Sequence, residues 1–377
     1  MKILHVSPTY FAEGSFIGGA ERYTRELARA QAGKADVTLL SFGARADSFR
    51  EGLLRVEILR RSRLPGLGRL ATNPLSARFV RWVRWADVVH CHQAFTLSTD
   101  VALLAARLIG RRTFVTDLGG GHRRALSHVL PLLRSADALL LISDYSRRMW
   151  QERPPADRPD RLAVVYGGVD VERFSPGDDV RTDETLFVGR LLPHKGINDL
   201  IEAMPQDAPL RVVGRPYDLA FFSRLRHLAE NRRVVFETDA DDRQLVARYR
   251  SALVTVLPSV YDAVDGSRTR QPELLGLTVL ESMACGTPVI VTDVASLPEL
   301  VEDGVTGFVV PPNDPEAVRR RIVQLRANPR LAADMGRRGR DTVRARFTWP
   351  VVAARCLEAY AGAPAEAPAA EVPACRT

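Results

Sequence analysis

The sequence is short of lysine, of cysteine and of long apolar runs, and each shortage narrows what it can be. Only Lys2, Lys34 and Lys195 are lysines; the other 50 of its 53 basic residues are arginine. A lysine inside such a chain marks a position that needs a compact point charge on a flexible stem. The four cysteines, Cys91, Cys285, Cys356 and Cys375, are scattered and form no CxxC pair. That argues against a zinc site or a disulfide framework and fits a reducing cytoplasm. No run approaches the roughly 18 apolar residues of a membrane-spanning helix. The apolar stretch after Met1 is too short for a secretory signal. There is no tandem repeat beyond the recurrence of strand and helix.

What is present is a globular composition. The chain has 377 residues, 46% hydrophobic and 26% charged, enough for two domains with real cores. A net charge of +8 points to anionic partners: a nucleotide, phosphates, an acidic membrane face or nucleic acid. Nucleic acid is not expected, because helix-turn-helix, zinc and RNA-binding signatures are missing. Residues 55–84 hold eight arginines and one acid, close to Trp82 and Trp85. They read as a solvated basic helix and loop, or as a peripheral contact with an anionic membrane.

Strands are expected at 3–7, 37–41, 88–91, 113–116, 138–142 and 162–166, and again at 185–188, 210–213, 234–237, 253–257 and 288–292. Helices are expected between them, including 20–31, 222–230, 242–251, 315–327 and 331–344. The strands are continuously apolar, the pattern of parallel sheets covered on both faces. Alternation of strand and helix in two series predicts two doubly wound α/β units. The polar, turn-rich stretch 174–184 is the expected joint. Residues 362–377, rich in alanine and proline, are expected to be a disordered tail.

Open α/β sheets bind ligands beyond the carboxyl ends of their strands, so groups that follow strands matter most. After the first strand, Gly18 and Gly19 precede a helix that opens with Glu21 and Arg22. Paired glycines let backbone amides approach a phosphate, and the helix dipole favours the anion. The spacing is not GxGxxG, which argues against a dinucleotide dehydrogenase. After the strand at 185–188 the chain reads Gly189-Arg190-Leu191-Leu192-Pro193-His194-Lys195-Gly196. Arg190 and Lys195 can grip a diphosphate and stabilise the charge on a departing nucleotide. In isolation, such a loop is more often a solvated turn.

The segment 272–288 is the most specific. Glu273 and Glu281 lie eight positions apart, with Gly276 between them. A helix starting at Gly276 leaves the amides of Leu277 and Thr278 for a phosphate. Glu281 then lies about five residues along, roughly 7 Å at 1.5 Å per residue, the distance from a diphosphate to its own ribose. Its carboxylate can accept bonds from both ribose hydroxyls. Glu273, ahead of the helix, is placed for a sugar on the other side of the diphosphate.

Taken together, these motifs resemble retaining glycosyltransferases of family 4, which have the GT-B fold. The glutamate–seven–glutamate signature matches Glu273 to Glu281, the glycine-rich loop Gly18-Gly19, and the Val-Gly-Arg-Leu…Lys-Gly turn Val188 to Gly196. Further matches are Gly168-Val169-Asp170 with Phe174 and Pro176, Pro258-Ser259, and Gly304 with Thr306-Gly307. The resemblance implies two Rossmann-like parallel-sheet domains facing across a cleft. An acceptor domain would span 1–173 and a donor domain 182–346, with a last helix at 348–361 crossing back.

It implies transfer of a sugar from a nucleotide-diphosphate sugar to an acceptor hydroxyl, with retention and without a metal or other cofactor. The acceptor class stays open: a small molecule, a glycan or a lipid-linked sugar. Arg190, Lys195 and Gly189 would hold the diphosphate with Gly276, Leu277, Thr278, Gly18 and Gly19; Glu281 would hold the ribose and Glu273 the donor sugar. Asp117 and His122, after the strand at 113–116, are candidates for orienting the reacting groups. His92 and Glu21 are candidates on the acceptor side, and His90 reads as a core histidine. A metal held by His90 and His92 is the weaker reading. The sequence departs from the family at Gly214-Arg215-Pro216, at Glu237-Thr238 and in a longer loop at 260–271, which leaves the donor open. An epimerase or phosphorylase of the same shape is the alternative.

Overall fold

The apolar runs fold as buried parallel strands, and the amphipathic stretches between them as covering helices. The computed structural model describes residues 1–8, 19–62, 73–76, 78–119 and 125–362. It divides into two units, one of residues 1–166 joined by the chain from 352 onward, the other of 167–351. The polar stretch 174–184 lies inside the second unit. From 363 onward the tail lies outside the described residues.

The first unit holds strands β1 (Lys2–Val6), β2 (Asp36–Gly43), β3 (Asp47–Glu51), β4 (Leu54–Arg60), β5 (Val88–His92), β6 (Arg112–Asp117), β7 (Ala138–Leu141) and β8 (Leu162–Val164). Their order in the sheet is β3-β4-β2-β1-β5-β6-β7-β8. All neighbours are parallel except the hairpin β3–β4. Its helices are α1 (Gly19–Ala32), α2 (Val80–Trp85), α3 (Leu97–Ile109) and α4 (Asp144–Gln151). One core cluster gathers Leu4, Val6, Leu40, Val89, Val115 and Leu139 from five strands with Trp82, Leu103 and Trp150 from helices.

The expectation for residues 55–84 needs correction at its start. Residues 55–60 are strand, not solvated helix or loop. Leu54, Val56 and Ile58 are buried and β4 pairs with β2. The turn is made by Gly52, at φ +59°, and Leu53, and Gly52 tolerates that backbone because it has no Cβ. Residues 63–72 and 77 lie outside the described residues.

On one face of this sheet three histidines meet. His5 of β1 pairs in register with His90 of β5, and His92 follows two residues on; the period of two puts them on the same side. His5 Nε2 lies 2.8 Å from the Gln31 side-chain oxygen and its Nδ1 2.7 Å from His92 Nε2. With that oxygen accepting, His5 donates to Gln31 and accepts from His92. His90 bonds the Tyr360 and Thr116 hydroxyls, both at 2.7 Å. Among the described residues these are the histidine, cysteine and acidic groups gathered closely enough to hold a metal. Both ring nitrogens of His5 and of His90 are already taken by hydrogen bonds, so the cluster works as a polar core network. It ties α1 and the last helix to the sheet.

The second unit holds β9 (Thr185–Val188), β10 (Leu210–Val213), β11 (Val234–Glu237), β12 (Val254–Leu257), β13 (Val289–Thr292) and β14 (Gly307–Val310). All pair in parallel, in the order β11-β10-β9-β12-β13-β14. Its helices are α5 (Ile197–Ala203), α6 (Leu219–Leu228), α7 (Asp242–Ser251), α8 (Leu277–Ala284), α9 (Pro315–Ala327) and α10 (Pro329–Arg346). The last helix, α11 (Trp349–Ala361), starts in this unit and ends in the first. No helix among the described residues is long and apolar enough to cross a membrane.

Burial is the main reason all three histidines resist protonation: His5 is lowered to about 4, and His90 and His92 fall well below the usual range. The unfolded chain binds their protons near pH 6.5 and the folded chain does not. Stability is therefore full above that value and declines as pH falls from about 6.5 toward 4. Each excluded proton contributes about 1.4 kcal/mol per pH unit. Urea unfolding at pH 7.5, 6 and 5 is expected to show this decline, and His5→Gln should flatten it by about one proton. Stability unchanged between pH 7 and 5 would count against the neutral cluster.

Candidate functional site

In the second sheet β9 and β12 are neighbours, while β10 and β13 lie on their far sides. This is the strand order 3-2-1-4-5-6, in which chain connections leave the central pair in opposite directions and ligands bind at its carboxyl ends. The loop after β9 carries Gly189, Arg190 and Lys195. The loop after β12 carries Glu273.

Glycines lock the two loops together. Gly196 has φ +64°, and a Cβ there would lie 1.9 Å from the Pro258 carbonyl oxygen. Only glycine satisfies both the left-handed backbone and the close approach. Beside it, Val260 N–H donates to the His194 carbonyl at 2.9 Å. Lys195 thus ends a short 3-10 turn, Pro193–Lys195, that is fastened to the start of the β12 loop.

Lys195 is 7% exposed. Its Nζ lies 2.5 Å from Glu273 Oε2 and donates to the Pro272 carbonyl at 3.2 Å. Arg190 is exposed, with its guanidinium 5.9 Å from the centre of the Tyr217 ring. His194 is lowered to about 4 by burial and then by the charges of Lys195 and Arg190, so it stays neutral beside the two cations. Breaking a buried pair such as Lys195–Glu273 from one side costs about 3–5 kcal/mol, and the partial exposure of Glu273 puts this pair at the low end.

Helix α8 begins as the spacing suggested. Gly276 is its N-cap at φ +88°, where a Cβ would meet Leu297 at 2.9 Å, and no side chain caps the helix. Leu277 and Thr278 of its first turn are half-buried. Glu281 is 5% exposed, and its Oε2 accepts a hydrogen bond of 2.9 Å from the fully buried Tyr249 hydroxyl. Tyr249 comes from α7. The sequence analysis missed it, since a tyrosine on an amphipathic helix carries no sign of what it will touch.

The remaining candidates belong to the first unit. Gly19 is the exposed first residue of α1, and Glu21, half-buried, lies in its first turn. Gly18 and His122 lie outside the described residues. Asp117, at the end of β6, has both oxygens engaged: Oδ2 accepts from Trp150 Nε1 at 3.0 Å, and Oδ1 from Gln93 Nε2 and the Gly119 amide at 3.3 Å. Burial raises its carboxyl above the ordinary value. Gln93 itself sits at φ +132°, a costly backbone for a side chain to adopt. Asp117 thus holds a strained strand end in place. His92 is 2% exposed and bonded to His5, so it faces packed interior, not an accessible edge.

Two family models match. Glycosyltransferase Family 4 covers residues 17–173 and Glycosyl transferases group 1 covers 169–342. The chain is 30% identical to alpha-maltose-1-phosphate synthase of Mycolicibacterium smegmatis, over 73% of this chain and 79% of that protein. The chain belongs to the group 1, family 4 glycosyltransferases. This glycosyltransferase is also 29% identical to a D-inositol 3-phosphate glycosyltransferase of Acidothermus cellulolyticus, over 97% of this chain and 90% of the relative. To a GDP-mannose-dependent alpha-(1-6)-phosphatidylinositol monomannoside mannosyltransferase of M. smegmatis it is 32% identical, covering 71% and 75%. Its fold is that of Thermosynechococcus elongatus sucrose-phosphate synthase, with TM-score 0.74, 22% identity and coverage of 96% and 99%. Anabaena HepE in complex with UDP and glucose gives 0.73, 19%, 96% and 100%. These are two-domain, parallel-sheet GT-B structures.

Tyr249→Phe removes the donor to Glu281 and leaves the packing. The variant is expected to fold and to bind a nucleoside diphosphate at least about tenfold more weakly, since one hydrogen bond to a charged group is worth about 1.5–3 kcal/mol. Isothermal titration checks it, and unchanged affinity would remove Tyr249 from the site.

Proposed function

We propose that this glycosyltransferase moves a sugar from a nucleotide-diphosphate sugar to an acceptor hydroxyl with retention at the anomeric carbon. The observation that carries the reading is the Lys195–Glu273 pair at the β9/β12 crossover, next to the uncapped start of α8. Arg190, Lys195 and the amides of Leu277 and Thr278 supply positive charge for the diphosphate. Glu281, held by Tyr249, accepts from the ribose hydroxyls, and Glu273 accepts from the donor sugar. The GDP-mannose dependence of one relative and the UDP and glucose found with one structural neighbour support a donor of this class.

The reaction uses charge stabilisation, not a protein nucleophile. As the bond from the anomeric carbon to the phosphate oxygen breaks, negative charge grows on the departing diphosphate, where Arg190, Lys195 and the α8 amides face it. The acceptor oxygen bonds to the carbon on the same face, and its proton passes to the departing phosphate oxygen. The positive charge comes from the Arg190 and Lys195 side chains and from the amide dipoles at the start of α8, so this scheme calls on no metal. The acceptor is assigned to the first unit, with Gly19 and Glu21 at the start of α1 as the residues to test.

Thermal shift against UDP-, GDP-, ADP- and TDP-sugars is expected to single out one nucleotide, because bound ligand raises the melting temperature by mass action. With that donor, Glu281→Ala should weaken binding about tenfold or more, while Lys195→Ala should lower turnover by about a hundredfold with a smaller change in affinity. NMR of the product's anomeric proton should report retention. Wild-type turnover in Lys195→Ala, or stabilisation by none of the nucleotide sugars, would overturn the assignment.

A further inference from the structure

Among the described residues, large apolar side chains concentrate on one exposed flank of the first unit. Leu104, Leu108 and Ile109 of α3 are 41%, 85% and 39% exposed; Leu126, Val129 and Leu130 are 39%, 82% and 50%. A lone surface leucine needs no explanation, but these six stand on segments that pack together. Asp100, in the first turn of α3, accepts the amides of Leu126 and Ser127 at 2.6 and 3.4 Å through one oxygen. The 3-10 turn Leu132–Ser135 packs on the same helix. Leu104 and Leu108 follow Asp100 at helical spacing, about 6 and 12 Å along the axis. The strip therefore runs from the 3-10 turn Leu126–His128 along α3.

Its rim is basic. Arg84, Arg107, Arg112 and Arg134 are exposed, and Arg111 bonds the Arg84 carbonyl at 3.2 Å, joining α2 to the end of α3. The acids paired with this rim are Asp87 and Asp137, at 3.8 and 3.7 Å from Arg111 and Arg112, and pairs this loose and exposed are worth little. Arg81 and Arg84 bring to this flank the last part of the arginine-rich segment 55–84. An apolar strip edged with guanidinium groups matches an anionic bilayer: the aliphatic side chains enter the headgroup boundary and the arginines meet phosphates. The strip begins at Leu126, which Asp100 ties to the first turn of α3 just past β5, at the carboxyl end of the first sheet, where ligands of such sheets bind.

We propose that this flank docks the enzyme on an anionic lipid surface and so presents the ligand edge of the first unit to a membrane-anchored acceptor. The full chain is tested by co-sedimentation with vesicles of equal parts phosphatidylglycerol and phosphatidylcholine, and with pure phosphatidylcholine. The wild type is expected to pellet with the anionic vesicles, less at high salt, and only weakly with the neutral ones. Leu108→Glu with Val129→Glu, and separately Arg107→Glu with Arg134→Glu, should each reduce binding about tenfold while keeping the wild-type melting temperature. Absence of binding to the anionic vesicles, or equal binding by folded variants, overturns the proposal. So does a wild-type dimer that Leu108→Glu with Val129→Glu converts to monomer, which would assign the strip to a second copy of the chain.

Discussion

Everything proposed for the donor site depends on one close approach, that of Gly196 to the Pro258 carbonyl. A Cβ at 196 would lie 1.9 Å from that oxygen. The contact fixes where the loop after β9 meets the loop after β12, and hence where Lys195 meets Glu273. A second contact of the same kind lies one strand over: Gly214, at φ +154°, leaves no room for a Cβ, which would come 1.7 Å from the Gly189 carbonyl. Two carbonyls packed against two glycines hold the carboxyl ends of β9, β10 and β12 in one arrangement. Charged groups on such a frame keep their spacing when a ligand arrives, which is what electrostatic stabilisation of a departing group requires.

The acids are held in two different ways. Glu273 is half-buried and paired with the Lys195 ammonium. Glu281 is nearly enclosed, and the neutral Tyr249 hydroxyl donates to one of its oxygens. A hydroxyl partner steers a carboxylate without cancelling its charge. Tyr249 thus fixes the direction in which the Glu281 carboxyl group points. Nothing in the glutamate–seven–glutamate spacing distinguishes these two environments.

Much of the fold was legible because it rests on periodicity. Continuous apolar runs at 185–188 and 210–213 became strands within the stated limits, and 242–251 and 315–327 became helices as read. The hairpin β3–β4 was not legible. Its residues carry exposed charges on β3 and arginines on β4, and only the pairing of β4 with β2 makes Leu54, Val56 and Ile58 interior. Lys195, Glu273 and the start of α8 were readable from local spacing, since a positive-φ glycine ahead of a helix has a signature in sequence. Tyr249 and the partners of Asp117 were not, because contacts such as Tyr249–Glu281 join residues 32 positions apart and only the folded sheet brings them together. His92 illustrates the same limit from the other side. Its place at a strand end suggested a ligand, and the tertiary neighbour that decides its role, His5, lies 87 residues away.

The scarcity of lysine gains its meaning at this site. Arginine serves the surface, where its fork pairs with carboxylates such as Glu51, Glu184 and Asp207. At position 195 a guanidinium would have to spread its five donors over a plane in a turn that is nearly closed. An ammonium carries three donors on one atom. Of these, one meets Glu273 and one the Pro272 carbonyl, which leaves a third. In the proposed reaction that third donor would turn toward a phosphate oxygen while the other two keep the group in place. A compact cation anchored on two sides and directional on the third can follow charge as it moves from the bridging oxygen to the departing phosphate without rearranging the loop that holds it.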